Sequence, residues 1–198
     1  SANLLVVSVC EETTRGTLSD SKSNTWTEAV TTAQFGVNIT IYYCQGGTVG
    51  TGHTFSITGT GTSPAIAVEA WSGAATSPLD QTSGASGGFG STVQPGSTTP
   101  TTNGQLLVTS VEYHSTSAWT PAIDVGFTID DSFAIVGSNH LGLGQAYFVQ
   151  TSAAAINPTW SNGNSAYIPC VIAGFKAAAG GGTAVKDIIG GGVIPFAR

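Results

Sequence analysis

The residues of this chain that could do chemistry are few and scattered. Its histidines, His53, His114 and His140, stand in separate segments without ligand spacing, so they make a metal site only if the fold gathers them. Two acidic pairs, Glu11-Glu12 and Asp130-Asp131, have the composition a glycosidase uses. Adjacent residues of a strand point to opposite faces, so neither pair converges on one substrate from a strand. Asp130-Asp131 reads instead as a turn whose carboxylates accept backbone N–H groups. The run Asp20-Ser21-Lys22-Ser23-Asn24 offers oxygen donors for calcium, but Lys22 in its midst opposes a dense cation cage. Serines are abundant, yet no G-x-S-x-G elbow is present. The glycine runs at 86–90, 180–182 and 190–192 are not followed by the Gly-Lys-Ser/Thr of a phosphate loop. The expectation is a protein that is not an enzyme, with no catalytic residue, no metal and no cofactor.

The tryptophans are the other candidates. Trp71 ends an apolar strand and reads as core. Trp26 and Trp119 sit beside Thr-rich loops and are the candidates for stacking on a sugar ring; burial in a sandwich core is the competing reading.

Any such residues must be positioned by strands. Of 198 residues only 8% are charged, Gly numbers 27, Met is absent and 40% are hydrophobic. Average chains are about 25% charged. This is a composition of strands joined by Gly, Ser, Thr and Pro turns. The net charge is −6 and the five basic residues are scattered, which excludes a nucleic-acid partner. No apolar run approaches the roughly 18 residues of a membrane span. Asn3 to Val9 is short, β-branched and without a basic flank, so it reads as a strand and not a signal peptide. The missing initiator Met suggests processing or a fragment, which leaves room for a removed leader. Cys10, Cys44 and Cys170 make an odd, low count. They read as buried small hydrophobes, with one bridge plus a free thiol as the alternative.

Residues 3–9, 38–44, 53–58 and 64–71 carry strand patterns, with a Gly/Thr/Ser/Pro turn at 59–64. The order then repeats. Gln105 to Val111 echoes residues 3–9 at an offset of 102, Gln145 to Gln150 echoes the Tyr42 to Gln45 strand, and Ile66 to Trp71 aligns with Cys170 to Phe175 at 104. Four strands expose an apolar face, and two such halves packed together bury it. The predicted fold is therefore an all-β, jelly-roll-like antiparallel sandwich of two similar four-strand halves. Two immunoglobulin-like domains are the alternative. One sandwich is expected over 1–176, with halves 1–73 and 105–176 and a connector at 74–104, part of which (Gly90 to Pro95) runs as an edge strand. Residues 177–198 read as a Gly-rich linker and an apolar arm, with Val185, Ile188, Ile189, Val193, Ile194 and Phe196 as its partner-binding residues. Such an arm docks on its own sandwich or adds to a neighbour's sheet edge.

Several stretches resemble a set of uncharacterised secreted or phage-type β-sandwich proteins of bacteria and bacteriophage. They are Asn3-Leu4-Leu5-Val6-Val7, Asp20 through Asn24-Thr25-Trp26-Thr27, Ile41-Tyr42-Tyr43, Gly52-His53-Thr54-Phe55, and Ala70-Trp71-Ser72-Gly73 leading to Ser77-Pro78-Leu79-Asp80. Gly104-Gln105-Leu106-Leu107-Val108 and Phe175-Lys176-Ala177 match too, so the resemblance spans residues 3 to about 180. It implies surface or virion modules without assigned catalytic residues. It also implies a strand before Asn3, whose absence would leave an edge for a neighbour's arm, residues 183–196. The expected function is a structural or assembly module of an extracellular filament, surface layer or virion. Its expected partners are copies of itself or other surface or virion proteins; a glycan-binding or adhesive module is the alternative.

Overall fold

A strand that is apolar at every position needs cover on both faces, and this requirement organises the molecule. The computed structural model describes residues 2–59, 61–115, 119–135, 140–180 and 184–187. Their strands are β1 (Leu4–Glu12), β2 (Thr17–Asp20), β3 (Thr27–Gln34), β4 (Val37–Gln45), β5 (Phe55–Thr58), β6 (Thr62–Ser72) and β7 (Ala74–Val93). There follow β8 (Gln105–Ser115), β9 (Pro121–Ile123), β10 (Thr128–Ile135), β11 (His140–Gln150), β12 (Trp160–Ala177) and β13 (Val185–Asp187). All pairings are antiparallel. One main sheet runs β13-β6-β1-β4-β3, the other β10-β11-β8-β12-β7 with β9 beside β12, and β2 and β5 form a separate pair. The protein is an all-β antiparallel sandwich.

The two main sheets are the same design twice. β6-β1-β4-β3 in one corresponds to β12-β8-β11-β10 in the other. Leu4 lies opposite Trp71 and Leu5 opposite Cys44; Leu106 lies opposite Phe175 and Leu107 opposite Phe148. Even the β-bulge recurs, between Glu28 and Val30 on β3 and between Ile129 and Asp131 on β10. Ser8 and Ser110, separated by 102 residues, bond to each other through their hydroxyls at 2.5 Å. Residues related by the repeat touch directly only where its two-fold relation passes, so this contact marks the axis.

Three apolar layers follow. Between the sheets lie Leu4, Val6, Ile39, Ile41, Trp71, Leu106, Val108, Val171 and Phe175. The outer face of the first sheet (Val7, Val9, Ile66) is covered by Leu18, Phe55 and Ile57 of the β2–β5 pair, with Trp26. The outer face of the second (Leu107, Val111, Cys170, Ile172) is covered by Trp119, Ile123, Phe127 and Trp160. β1, β8 and β12 are thus buried on both sides, as their unbroken apolar runs require.

The connector differs from expectation. Residues 74–93 form one 20-residue strand, not an edge strand confined to Gly90–Pro95. It pairs along β12 from Ala74↔Ala177 to Val93↔Trp160, with four register shifts. The shifts and Pro78 blunt the outer edge of this strand. The edge strands are also exchanged: β7 leaves the first sheet and pairs in the second, while β13 leaves the second and pairs in the first. β1 has β4 on one side and β6 on the other, so no edge is open beside residues 3–9.

Candidate functional site

Along the repeat axis, polar residues replace apolar ones toward one end of the sandwich. Cys10 and Glu112 occupy corresponding positions, as do Glu12 and His114, whose carboxylate and Nε2 stand 3.7 Å apart. Glu112 is 1% exposed. Burial, then the charges of Glu12 and Glu11, push its carboxyl well above the ordinary range. Burial and the same Glu112 raise the Cys10 thiol. Glu11 faces the other way, where one oxygen accepts the Gly16 N–H at 2.5 Å. An enclosed carboxyl with a raised pKa and a buried thiol present no nucleophile to solvent. The column is an interior feature.

Over its open end lies an aromatic cluster that the sequence reading did not single out. Phe35 stacks on Tyr167 with centroids 4.3 Å apart and planes at 4°, and Phe89 meets the same ring edge-on at 5.3 Å. Phe35 and Phe89 are 70% and 66% exposed. Phe35 belongs to the first sheet's β3–β4 turn, Tyr167 to β12 beside His114, and Phe89 to β7. Gln34 Oε1 accepts the Gly88 N–H at 3.1 Å, tying the turn to β7. The turn is the two-residue Phe35-Gly36, with φ of 51° and 81°. Such turns favour Asn-Gly, because a bulky residue at positive φ costs on the order of 1–2 kcal/mol. A phenylalanine there is the signal in the sequence that something besides turn formation selects the residue.

Trp26 and Trp119 are both half-buried. Trp26 packs edge-on to Phe55 and donates Nε1–H to Asp20 at 2.9 Å. Asp20 also accepts the Lys22 and Asn24 N–H groups and lies 3.4 Å from His53 Nε2. Burial alone would raise its pKa, but the donors from Asn24, Lys22 and Trp26 outweigh burial and hold the carboxyl low. Both oxygens are therefore engaged internally, and the 20–24 run is a structural turn. Trp119 lies parallel to Tyr113 at 6.0 Å, flat over Gly142 and Gly144. With Trp160, Ser91, Ser161 and Asn162 it lines a small groove, far below the size of small-molecule pockets. A Cβ at Gly142 would stand 2.4 Å from the indole. Gly142→Val is expected to displace Trp119, giving a red-shifted tryptophan emission and a loss of about 1–3 kcal/mol in urea unfolding.

A third cluster anchors the C-terminal segment. Val185, Lys186 and Asp187 pair with Ser72, Trp71 and Ala70, and Ala184 is 7% exposed. Lys186 forms an ion pair with Asp130 and sits 4.9 Å over the Tyr147 ring. Asp130-Asp131 is not a turn: it lies within β10 at the bulge, where the extra residue re-aims Asp130 toward Lys186. Beneath is Glu69, fully buried, accepting Trp71 Nε1–H at 3.1 Å. Burial pushes its carboxyl up to about 7 against the pull of Lys186. Ile188, Ile189, Val193, Ile194 and Phe196 lie outside the described residues; Val185 is 58% exposed.

The fold does not gather the imidazoles. His53 lies in the first sheet's outer cover, His114 at the inter-sheet end, and the His140 side chain is outside the described set. Among the described residues no three His, Cys, Asp or Glu side chains are placed to share a metal ion. Cys10, Cys44 and Cys170 are buried, free thiols. No helix among the described residues is long and apolar enough to cross a membrane. Searches of family models, curated proteins and solved structures return no match to this chain.

Proposed function

We propose that this chain is a non-enzymatic structural module of an extracellular filament, surface layer or virion, joined to copies of itself or to neighbouring surface proteins. One observation carries the reading: Glu112 and the cysteine thiols are buried, while Phe35 and Phe89, one from each sheet, stand exposed against the half-buried Tyr167 ring. Aromatic residues are enriched in the buried centres of protein interfaces. The strained Phe35 position favours a role in contact over one in turn formation. The charge-poor, hydroxyl-rich composition fits a subunit packed among others.

The test separates association from folding. Phe35→Asn suits the turn, so relief of backbone strain offsets the lost stacking and stability is expected to change by less than about 1 kcal/mol. Paired with Phe89→Ser, it is expected to weaken self-association about tenfold or more by sedimentation velocity, and to abolish ordered particles in negative-stain micrographs. Unchanged association in the double variant would remove this reading. A second reading, a glycan-binding module, rests on Trp119, whose half-buried indole borders a small surface groove with Ser91 and Ser161. Retention on insoluble polysaccharide, lost in Trp119→Ala, would support it instead.

A further inference from the structure

We infer that Lys186 and Asp130 form a covalent cross-link, an amide between Lys186 Nζ and Asp130 Cγ, and that Glu69 relays the proton as it forms. Lys186 stands opposite Trp71 on the neighbouring strand, and residues directly opposite share a face of the sheet. Glu69, two positions from Trp71, shares that face as well. It looks into the inter-sheet core, where Trp71 lies. From the other sheet, the β10 bulge brings Asp130 into direct contact with Lys186 Nζ. The two side chains are 29% (Lys186) and 22% (Asp130) exposed, so the pair is largely shielded from water. The Tyr147 ring walls one side, 4.9 Å from Nζ. An amine, a carboxyl and an enclosed acid thus share one corner of the sandwich. A second lysine–aspartate contact lacks this arrangement. Lys176 Nζ lies 3.8 Å from Asp80, but Asp80 accepts the Thr101 N–H, the Thr101 hydroxyl and the Gln105 amide, so both of its oxygens are engaged.

The environment favours the neutral, reactive forms. Burial lowers the Lys186 ammonium against the pull of Glu69, toward the free amine. Glu69 Oε2 accepts Trp71 Nε1–H, while among the described residues Oε1 has no hydrogen bond of good geometry. One oxygen is therefore left to take a proton and return it. The step balances without an oxidant, a reductant or a co-reactant. Within the ion pair one proton passes from Nζ to Oδ1, leaving a neutral amine and a neutral acid. The Nζ lone pair attacks Cγ and the N–C bond forms. Glu69 takes a proton from Nζ and delivers it to the Asp130 hydroxyl, the Cγ–O bond breaks, and one water leaves. Groups held in contact react with effective molarities of roughly 10⁵–10⁸ M, which draws forward a condensation that dilute amines and carboxylates do not undergo. The link ties β13, which is held to β6 by three residue pairs, to β10 of the opposite sheet. A covalent tie between sheets suits a load-bearing subunit.

Mass spectrometry of the full chain in denaturant tests the inference. The unaltered protein is expected to be lighter than its sequence by one water, and its digest to contain a branched peptide joining Lys186 to Asp130. Lys186→Arg keeps the cation but not the nucleophilic amine, and Asp130→Ala removes the carboxyl; both are expected at full sequence mass. In freshly expressed Glu69→Gln the linked fraction is expected to fall at least about tenfold. Full sequence mass in the unaltered, folded chain overturns the inference, as does a loss of water mapped to any other pair of residues. A link to Asp131 overturns the choice of Asp130, and an unchanged linked fraction in Glu69→Gln overturns the role given to Glu69. Because the link survives denaturation, unfolding comparisons of Trp71 and Glu69 variants belong in the Lys186→Arg chain, where the cation remains and no link forms. The aromatic-end reading stands or falls separately, because Phe35 and Phe89 are intact in every chain tested here.

Discussion

Replacing Trp71 with alanine is expected to cost about 3–5 kcal/mol, a large share of the ~5–15 kcal/mol that separates a folded domain from its unfolded chain. The indole is 1% exposed in the inter-sheet core and meets Tyr147 edge-on at 4.9 Å. Truncation leaves a cavity where neither sheet can collapse, because β1 and β13 fix β6 on both sides. It also strips Glu69 of the Nε1–H donor at 3.1 Å, and an enclosed carboxyl that loses a partner adds a penalty of about 1–3 kcal/mol. Trp71→Phe separates the two effects. It keeps most of the volume while removing the donor, so its loss is expected to be smaller and to shrink at acid pH, where Glu69 is protonated. Urea midpoints for both variants at pH 5 and pH 8 provide the check, and equal losses at both values would show that the Glu69 contact contributes nothing.

Stability of the unaltered protein is expected to fall as pH rises from about 4.5 through about 7. Glu69 has its folded-state pKa raised by burial to about 7 from 4.5. Between those values the folded chain holds more protons than the unfolded one. The stabilisation is therefore complete below about pH 4.5 and is lost as pH passes 7, a fall of roughly 3 kcal/mol for this residue. Glu112, raised by burial and by its acidic neighbours, acts in the same direction. Asp20 and Asp80 act oppositely. Burial would raise both, but backbone and side-chain donors outweigh it and hold them low. Their contribution is present above the ordinary aspartate pKa and lost as pH falls through the depressed values. A maximum in mildly acidic solution follows. Glu69→Gln keeps an acceptor for Trp71 and removes the titration. Its melting temperature is expected to exceed the parent's at pH 8 and to match it near pH 4.5. Parallel melting curves across that range would contradict the assignment.

The sequence by itself determined the strand class, the two-fold repeat and much of the core. Leu4 to Val9 and its echo at Leu106 to Val111 are apolar at nearly every position because both faces of those strands are covered, and periodicity reports how many faces are covered. Trp71 was legible as core for the same reason. Periodicity is silent on which edge pairs with which. β7 pairs through its backbone, which is alike in every residue, so its Thr, Ser and Gly side chains gave no strand pattern. The exchange of β7 and β13 between sheets was hidden for that reason too. Glu69 and Glu112 look locally like solvent-facing positions, and only the stacking of layers makes them interior and shifts their protonation. Asp130-Asp131 resembled a turn until the bulge on β10 aimed it at Lys186. Phe35, Phe89 and Tyr167 are far apart in the chain. Only the closing of two sheets over one another brings them onto one surface, so the outward aromatic cluster was decided by the tertiary structure alone.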